Sequence, residues 1–196
     1  MKRITTFVVA TLVALTSLMA CAQNSKSKNA ETMDGKKVLV AYFSWSGNTA
    51  DVAKYVASKT GADLFEVVRE KAYPVDYTPC TDEAKAEKER GDRPAIKGEV
   101  KNMEQYDVVF VGVPVWWYTA PMPVFTFLDK YDFGGKTVIP FCTAYTAEYE
   151  TLNDIVAATP NSSHLEGLTL ITKEMGGKGM DKQYGTIDQW LNKLNF

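Results

Sequence analysis

Two runs constrain this chain more than any other feature: Lys37–Phe43 and Asp107–Val113 are almost wholly apolar over seven residues each. Runs of that length and character read as strands covered on both faces, as in parallel sheets flanked by helices. The rest of the chain alternates accordingly. Asn48–Thr60 places Val52, Ala53, Val56 and Ala57 on one helical face, and Gly61 follows where a left-handed cap is wanted. Ala62–Val68 alternates through Leu64, Glu66 and Val68 as a second strand. Tyr73–Tyr77 is a loop, and Thr81–Arg90 is a strongly charged helix, read as a solvated face. Pro121–Tyr131 has prolines where a helix's first turn tolerates them, and Gly134-Gly135 breaks it. Lys136–Phe141 is a fourth strand, Glu148–Ala158 a helix and Gly167–Thr172 a fifth strand. Ile187, Trp190, Leu191 and Leu194 stripe a last helix. Such alternation implies an α/β fold with a parallel sheet and helices on both faces; ligands then sit beyond the carboxyl ends of strands. Three loops leave such ends: 44–49, 114–121 and 142–147.

What precedes Lys37 reads as an address. Met1-Lys2-Arg3 is positive, and Ile4–Leu18 is apolar but shorter than the roughly 20 residues of a membrane span. Leu18-Met19-Ala20-Cys21 closes it and resembles a bacterial lipoprotein box, with Met19 where a smaller residue is usual. The resemblance implies that residues 1–20 are a signal peptide and that Cys21 carries lipid, holding the protein on a membrane of the cell envelope, facing the periplasm. Ordinary signal cleavage with a spare thiol, or an uncleaved anchor, are the alternatives. Ala22–Lys36 is polar and too poor in apolar residues to order itself, so 21–36 is expected to be a tether and 37–196 one domain. Without residues 1–20 the chain carries 20 basic against 24 acidic side chains and no basic block, which argues against nucleic acid as a partner. Apart from Cys21 only Cys80 and Cys142 remain, too few for a disulfide framework or a metal cage.

The first loop, Ser44-Trp45-Ser46-Gly47-Asn48-Thr49, leads from a strand into a helix. A helix N-terminus offers unpaired N–H groups and the positive end of a dipole, an anion site. Gly47 allows close approach, and Ser44, Ser46, Asn48 and Thr49 add side-chain donors. No Lys or Arg lies between Lys37 and Lys54, so a triphosphate loop is excluded and one terminal phosphomonoester suits the site. A strand-to-helix turn capped by hydroxyls would use the same residue types.

That six-residue loop, placed after the first core strand, resembles the flavin mononucleotide (FMN) phosphate loop of flavodoxins. Two further stretches, "EVVREKAYPVDY" (66–77) and "VGVPVWWYTAPMPVFTFLDKYDFGGKTVIPF" (111–141), are similar to flavodoxin-like proteins common in gut bacteria, so the resemblance covers Lys37 to Phe196. It implies a flavodoxin-like three-layer sandwich, a five-stranded parallel sheet of order 2-1-3-4-5, and FMN as cofactor. It also implies that Pro114, Val115, Trp116, Trp117 and Tyr118 border the flavin ring. Trp117 or Tyr118 is the expected stacking partner, with Trp116 next, since a flat ring needs an apolar or aromatic face; core packing or a dimer surface would also use these aromatics.

The third loop departs from the pattern. Relatives have a glycine- and serine-rich turn there, whereas this chain reads Cys142-Thr143-Ala144-Tyr145-Thr146-Ala147-Glu148-Tyr149. Thr143, Ala144 and Tyr145 are the expected contacts, with either a new path for the loop or weaker flavin binding. His164 is the only histidine and lies far from the three loops in sequence, so neither a Ser-His-Asp set nor a histidine metal site can be assembled. The expectation is an FMN-binding carrier of electrons, passing them to a redox partner protein or a small-molecule acceptor, with no catalytic side chain and no metal. The alternatives are an NAD(P)H-dependent quinone or nitro-type reductase, or a binding module that kept the fold and lost the flavin.

Overall fold

The computed structural model describes residues 35–173 and 179–194. The expected signal peptide, the lipidated Cys21 and nearly all of the tether lie outside the described residues. In chain order the elements are β1 (Val38–Tyr42), α1 (Asn48–Thr60), β2 (Asp63–Glu66), β3 (Val68–Arg69), α2 (Tyr77–Arg90), β4 (Ile96–Lys97), β5 (Val108–Pro114), α3 (Met122–Lys130), β6 (Thr137–Ala144), α4 (Thr151–Ala157), β7 (Ser163–His164), β8 (Leu168–Ile171) and α5 (Tyr184–Lys193).

The main sheet is parallel and runs β2-β1-β5-β6, with β7 and β8 both on the far side of β6. Counted as rows, this is the order 2-1-3-4-5. The apolar runs follow from it directly. Leu39, Ala41, Val109, Val111 and Val113 pack on one face with α2, α3 and Ile155 of α4. Val38, Val40, Val108, Phe110 and Ile139 pack on the other, against Val52, Ala53 and Val56 of α1 and Ile187 and Trp190 of α5. A central strand therefore has no solvent face and needs no polar alternation. Gly112 in β5 is required for room, because a Cβ there would lie 2.1 Å from the Phe141 ring.

Several boundaries differ from the sequence reading, each for a physical reason. The second strand ends at Glu66, and Val68–Arg69 pairs antiparallel with Ile96–Lys97 in a small separate ladder. The fifth row is two strands. Ser163 N–H donates to the Lys136 carbonyl and Thr172 N–H to the Ala144 carbonyl, so even-numbered residues of β6 face that row. Pro140 is one of them and has no N–H to give, so the ladder breaks opposite it. Gly167 fills the break, 2.8 Å from the Pro140 oxygen if it carried a Cβ. β6 runs on to Ala144, which makes Cys142, Thr143 and Ala144 strand residues and starts the third loop at Tyr145. α4 begins at Thr151.

α2 starts at Tyr77, with Pro79 inside its first turn, where the missing N–H costs nothing. Nor is it only a solvated face, because Cys80, Ala84 and Glu87 are buried along one stripe. The Arg69 guanidinium lies 2.7 Å from Glu83 and 2.6 Å from Glu87. Tyr73 donates its hydroxyl to Glu87, and the Arg69 guanidinium sits 4.4 Å above the Tyr73 ring. Burial, and then the Glu87 carboxylate, push the Tyr73 hydroxyl far above the usual tyrosine range. This cluster fixes α2 against β3, which positions one wall of the site.

Candidate functional site

The first and third carboxyl ends of the sheet meet at one hydrogen bond. Thr49 is buried, and its Oγ1 lies 2.8 Å from Oγ1 of Thr143. The loop before it is shaped by Gly47, whose φ of 95° is left-handed and open to glycine alone at no cost. Gly47 N–H donates to Ser44 Oγ at 3.2 Å, closing the turn. The first intrahelical bond runs from Asp51 N–H to the Gly47 carbonyl at 2.9 Å, and no side chain caps the helix. The N–H groups of Asn48, Thr49 and Ala50 therefore precede the helical ladder at the positive end of its dipole. Asn48 and Ser46 are exposed beside them.

Beyond this loop opens a cleft of about 570 Å³, within the size range of cofactor sites. It brings together Trp45, Ser46 and Asn48 from the first loop, Pro114 to Tyr118 from the second, and Thr143, Ala144 and Tyr145 from the third. Ser44, Gly47 and Thr49 do not line it. Gly47 and Thr49 shape the loop from beneath, and Ser44 faces a second cleft of about 460 Å³ on the other side of Trp45. Sequence reading missed the contribution of α2, through Tyr77, Cys80, Thr81 and Ala84, because the charged run there drew attention to its outer face. Tyr149 and Thr172 also line the cleft.

The aromatic pair in the second loop divides its tasks. Trp116 turns inward, edge-on to Phe43 at 5.4 Å and Tyr73 at 5.0 Å. Trp117 leans on α2, donating from Nε1 to the Thr81 carbonyl at 2.8 Å under the Lys85 ammonium. Trp116 and Thr119 exchange two backbone hydrogen bonds, 2.9 and 3.1 Å, around Trp117 and Tyr118. Both central residues have positive φ, 50° and 71°, as in a type I′ turn. Such turns use glycine and asparagine, and a left-handed bulky residue costs about 1–3 kcal/mol. Tyr118 is exposed and meets Tyr149, itself at φ 51°, edge-on at 4.7 Å. Seven large hydrophobic side chains are exposed among the described residues, and six of them border these two clefts: Trp45, Val75, Tyr77, Tyr118, Tyr145 and Tyr149.

Cys142 is fully buried and its thiol is pushed up to about 11 by burial, which removes it as a nucleophile at neutral pH. Burial also raises the Cys80 thiol, and both cysteines are free. His164 sits in β7 with Nε2 2.8 Å from Thr159 Oγ1, and burial lowers its pKa, so it is a structural, neutral side chain. Among the described residues no cluster of His, Cys, Asp or Glu could hold a metal ion. The site therefore has an uncapped helix end for an anion and an aromatic slot for a flat ring.

A family model described as Flavodoxin matches residues 37–192. Among solved structures the chain is similar to a candidate flavoprotein from Bacteroides eggerthii DSM 20697, at 30% identity over 82% of this chain and 99% of that one, with a TM-score of 0.69. A second candidate flavoprotein, from Bacteroides uniformis ATCC 8492, gives 30% identity, 81% and 99% coverage and a TM-score of 0.67. A flavoprotein in complex with FMN from Lactobacillus acidophilus NCFM gives 25% identity, 72% and 97% coverage and a TM-score of 0.62. No curated protein matches the chain significantly.

Proposed function

The chain belongs to the flavodoxin family, and from that premise we propose that it is an FMN-binding redox protein of the cell envelope that carries electrons. One observation carries this reading: the uncapped N-terminus of α1, opened by Gly47, adjoins an aromatic cleft of about 570 Å³. The donor set fits the cofactor's two halves. Ser46, Asn48 and the first N–H groups of α1 would hold the phosphate through neutral donors, with Gly47 and Thr49 fixing the loop and Ser44 closing it. Pro114, Val115, Trp116, Trp117 and Tyr118 would border the ring on one side, and Thr143, Ala144 and Tyr145 on the other. FMN, when bound, supplies the redox chemistry. The protein holds it, excludes water from one face, and leaves an apolar rim for whatever exchanges electrons with it.

The test is a spectrum. Purified protein mixed with FMN and desalted keeps the flavin's visible bands if the reading holds, and a colourless product points instead to a binding module that retains only the fold. A reductase is the second reading, favoured by Tyr145 and Tyr149, whose exposed rings at the mouth could receive a flat substrate. Steady oxidation of NAD(P)H by a quinone would select it over a carrier. The envelope location and the lipid anchor rest on the resemblance of Leu18–Cys21 to a lipoprotein box. They predict that Cys21→Ser moves the protein from the membrane fraction to the soluble one.

A further inference from the structure

A turn that places tryptophan and tyrosine in left-handed backbone needs outside support, and it comes here from α2 on one side and from residues 149–154 on the other. Lys88 donates from Nζ to the Trp117 carbonyl, and its ammonium lies 5.5 Å over the Tyr118 ring. Thr81 holds the Trp117 indole through its carbonyl at 2.8 Å. On the opposite side Glu150 N–H donates to the Tyr118 carbonyl at 3.3 Å, and the Asp154 carboxylate accepts the Thr119 hydroxyl. Each of these groups acts on the same four residues, and only Lys88 brings positive charge directly onto the turn's backbone.

Among the other charges around the turn, Lys85 shares its ammonium with Glu89 at 3.7 Å, while the Glu150 and Asp154 carboxylates, on the side away from α2, accept hydrogen bonds from the neutral Asn153 and Thr119. Lys88 makes no ion pair among the described residues. Its charge is therefore uncancelled by an ion partner and lies on the turn whose residues 116–118 line the cleft, while Lys88 itself is exposed and does not line it.

We propose that Lys88 is a positioning residue for the ring end of the cleft: it locks the 116–119 turn through the Trp117 carbonyl and biases the slot toward a reduced, anionic flavin. The second half rests on the FMN reading above. The first half concerns the protein alone. By linkage, a group that binds the reduced cofactor more tightly than the oxidised one raises the potential in proportion to the logarithm of that affinity ratio.

Two measurements on Lys88→Met test the two halves, with Lys54→Met, a lysine on the exposed side of α1, as the charge-matched control. In the flavin-free protein, amide exchange at Trp116 and Thr119 should quicken by about tenfold, the low end of the scale of one charge-assisted hydrogen bond. In the FMN-loaded protein, reduced-flavin affinity should fall about fivefold more than oxidised-flavin affinity. That is a drop of about 20 mV for a two-electron couple, at about 30 mV per tenfold. Lys88→Arg, which keeps a donor and a charge, should restore most of both effects. Unchanged amide exchange in Lys88→Met would overturn the clamp, and equal losses in both flavin states would overturn the charge effect. Wild-type protein that retains no FMN would instead sink the cofactor reading, and the exchange data would still decide the clamp.

Discussion

Gly47 is where a single atom decides most. Nothing lies within 4 Å of a Cβ built on it, so space does not exclude a side chain, but its φ of 95° does. Gly47→Ala should lower stability by about 1–2 kcal/mol through backbone strain alone. Gly47→Asp carries the same strain and also sets a carboxylate against the phosphate. FMN retention after desalting should therefore fall much further in the Asp variant than in the Ala variant, and equal losses would place the phosphate elsewhere. Gly112 works by the opposite logic: its backbone is ordinary but its surroundings are full. The sequence could show that Gly47 opens a helix and Gly61 closes one, and both are left-handed as such positions require. It could not show that Trp117 and Tyr118 are left-handed too, because tertiary contacts from α2 and α4 hold them there against their own preference.

Elements are tied to one another at a few polar points, and Thr49–Thr143 is the one that joins two of the cleft's loops. Thr143→Val should leave the Thr49 hydroxyl buried and unpaired and cost about 1–3 kcal/mol, read as a shift in the chemical-denaturation midpoint. Thr49→Val combined with it should cost less than the sum of the two single changes, because the second substitution removes the orphaned group. α1 matched its sequence reading from Asn48 to Thr60 because its stripe and both glycine caps agree. α2 starts four residues before its sequence reading, and the fifth row holds β7 in addition to the expected strand, found as Leu168–Ile171. Pro79 looks like a helix boundary but sits inside a first turn, and the fifth row is divided by a proline on its neighbour β6, a contact far away in sequence. The candidate site was legible where it depends on loop chemistry and illegible where it depends on α2, which approaches the cleft only through packing.

Over the whole molecule, acid should loosen the fold in two stages. Burial depresses His164 below its usual 6.5, so the unfolded chain takes up that proton first, and stability falls as pH drops below this value. Hydrogen bonds from Lys37 and then Tyr106 depress Asp63, and Arg69 depresses Glu83, so their contributions are full above the ordinary carboxylate range and vanish as pH falls through their lower folded values. Thermal melting points taken from pH 7 to 3 should step down near both regions. His164→Gln should flatten the first step and spare the second.

Val38 enters the sheet at the end of β1 opposite to the cleft, and the strand's five residues separate the two by about 17 Å of backbone alone. Entrance and mouth thus stand at opposite poles. An anchor at Cys21, as proposed above, would then hold the domain by the pole away from the aromatic rim and leave that rim unshadowed.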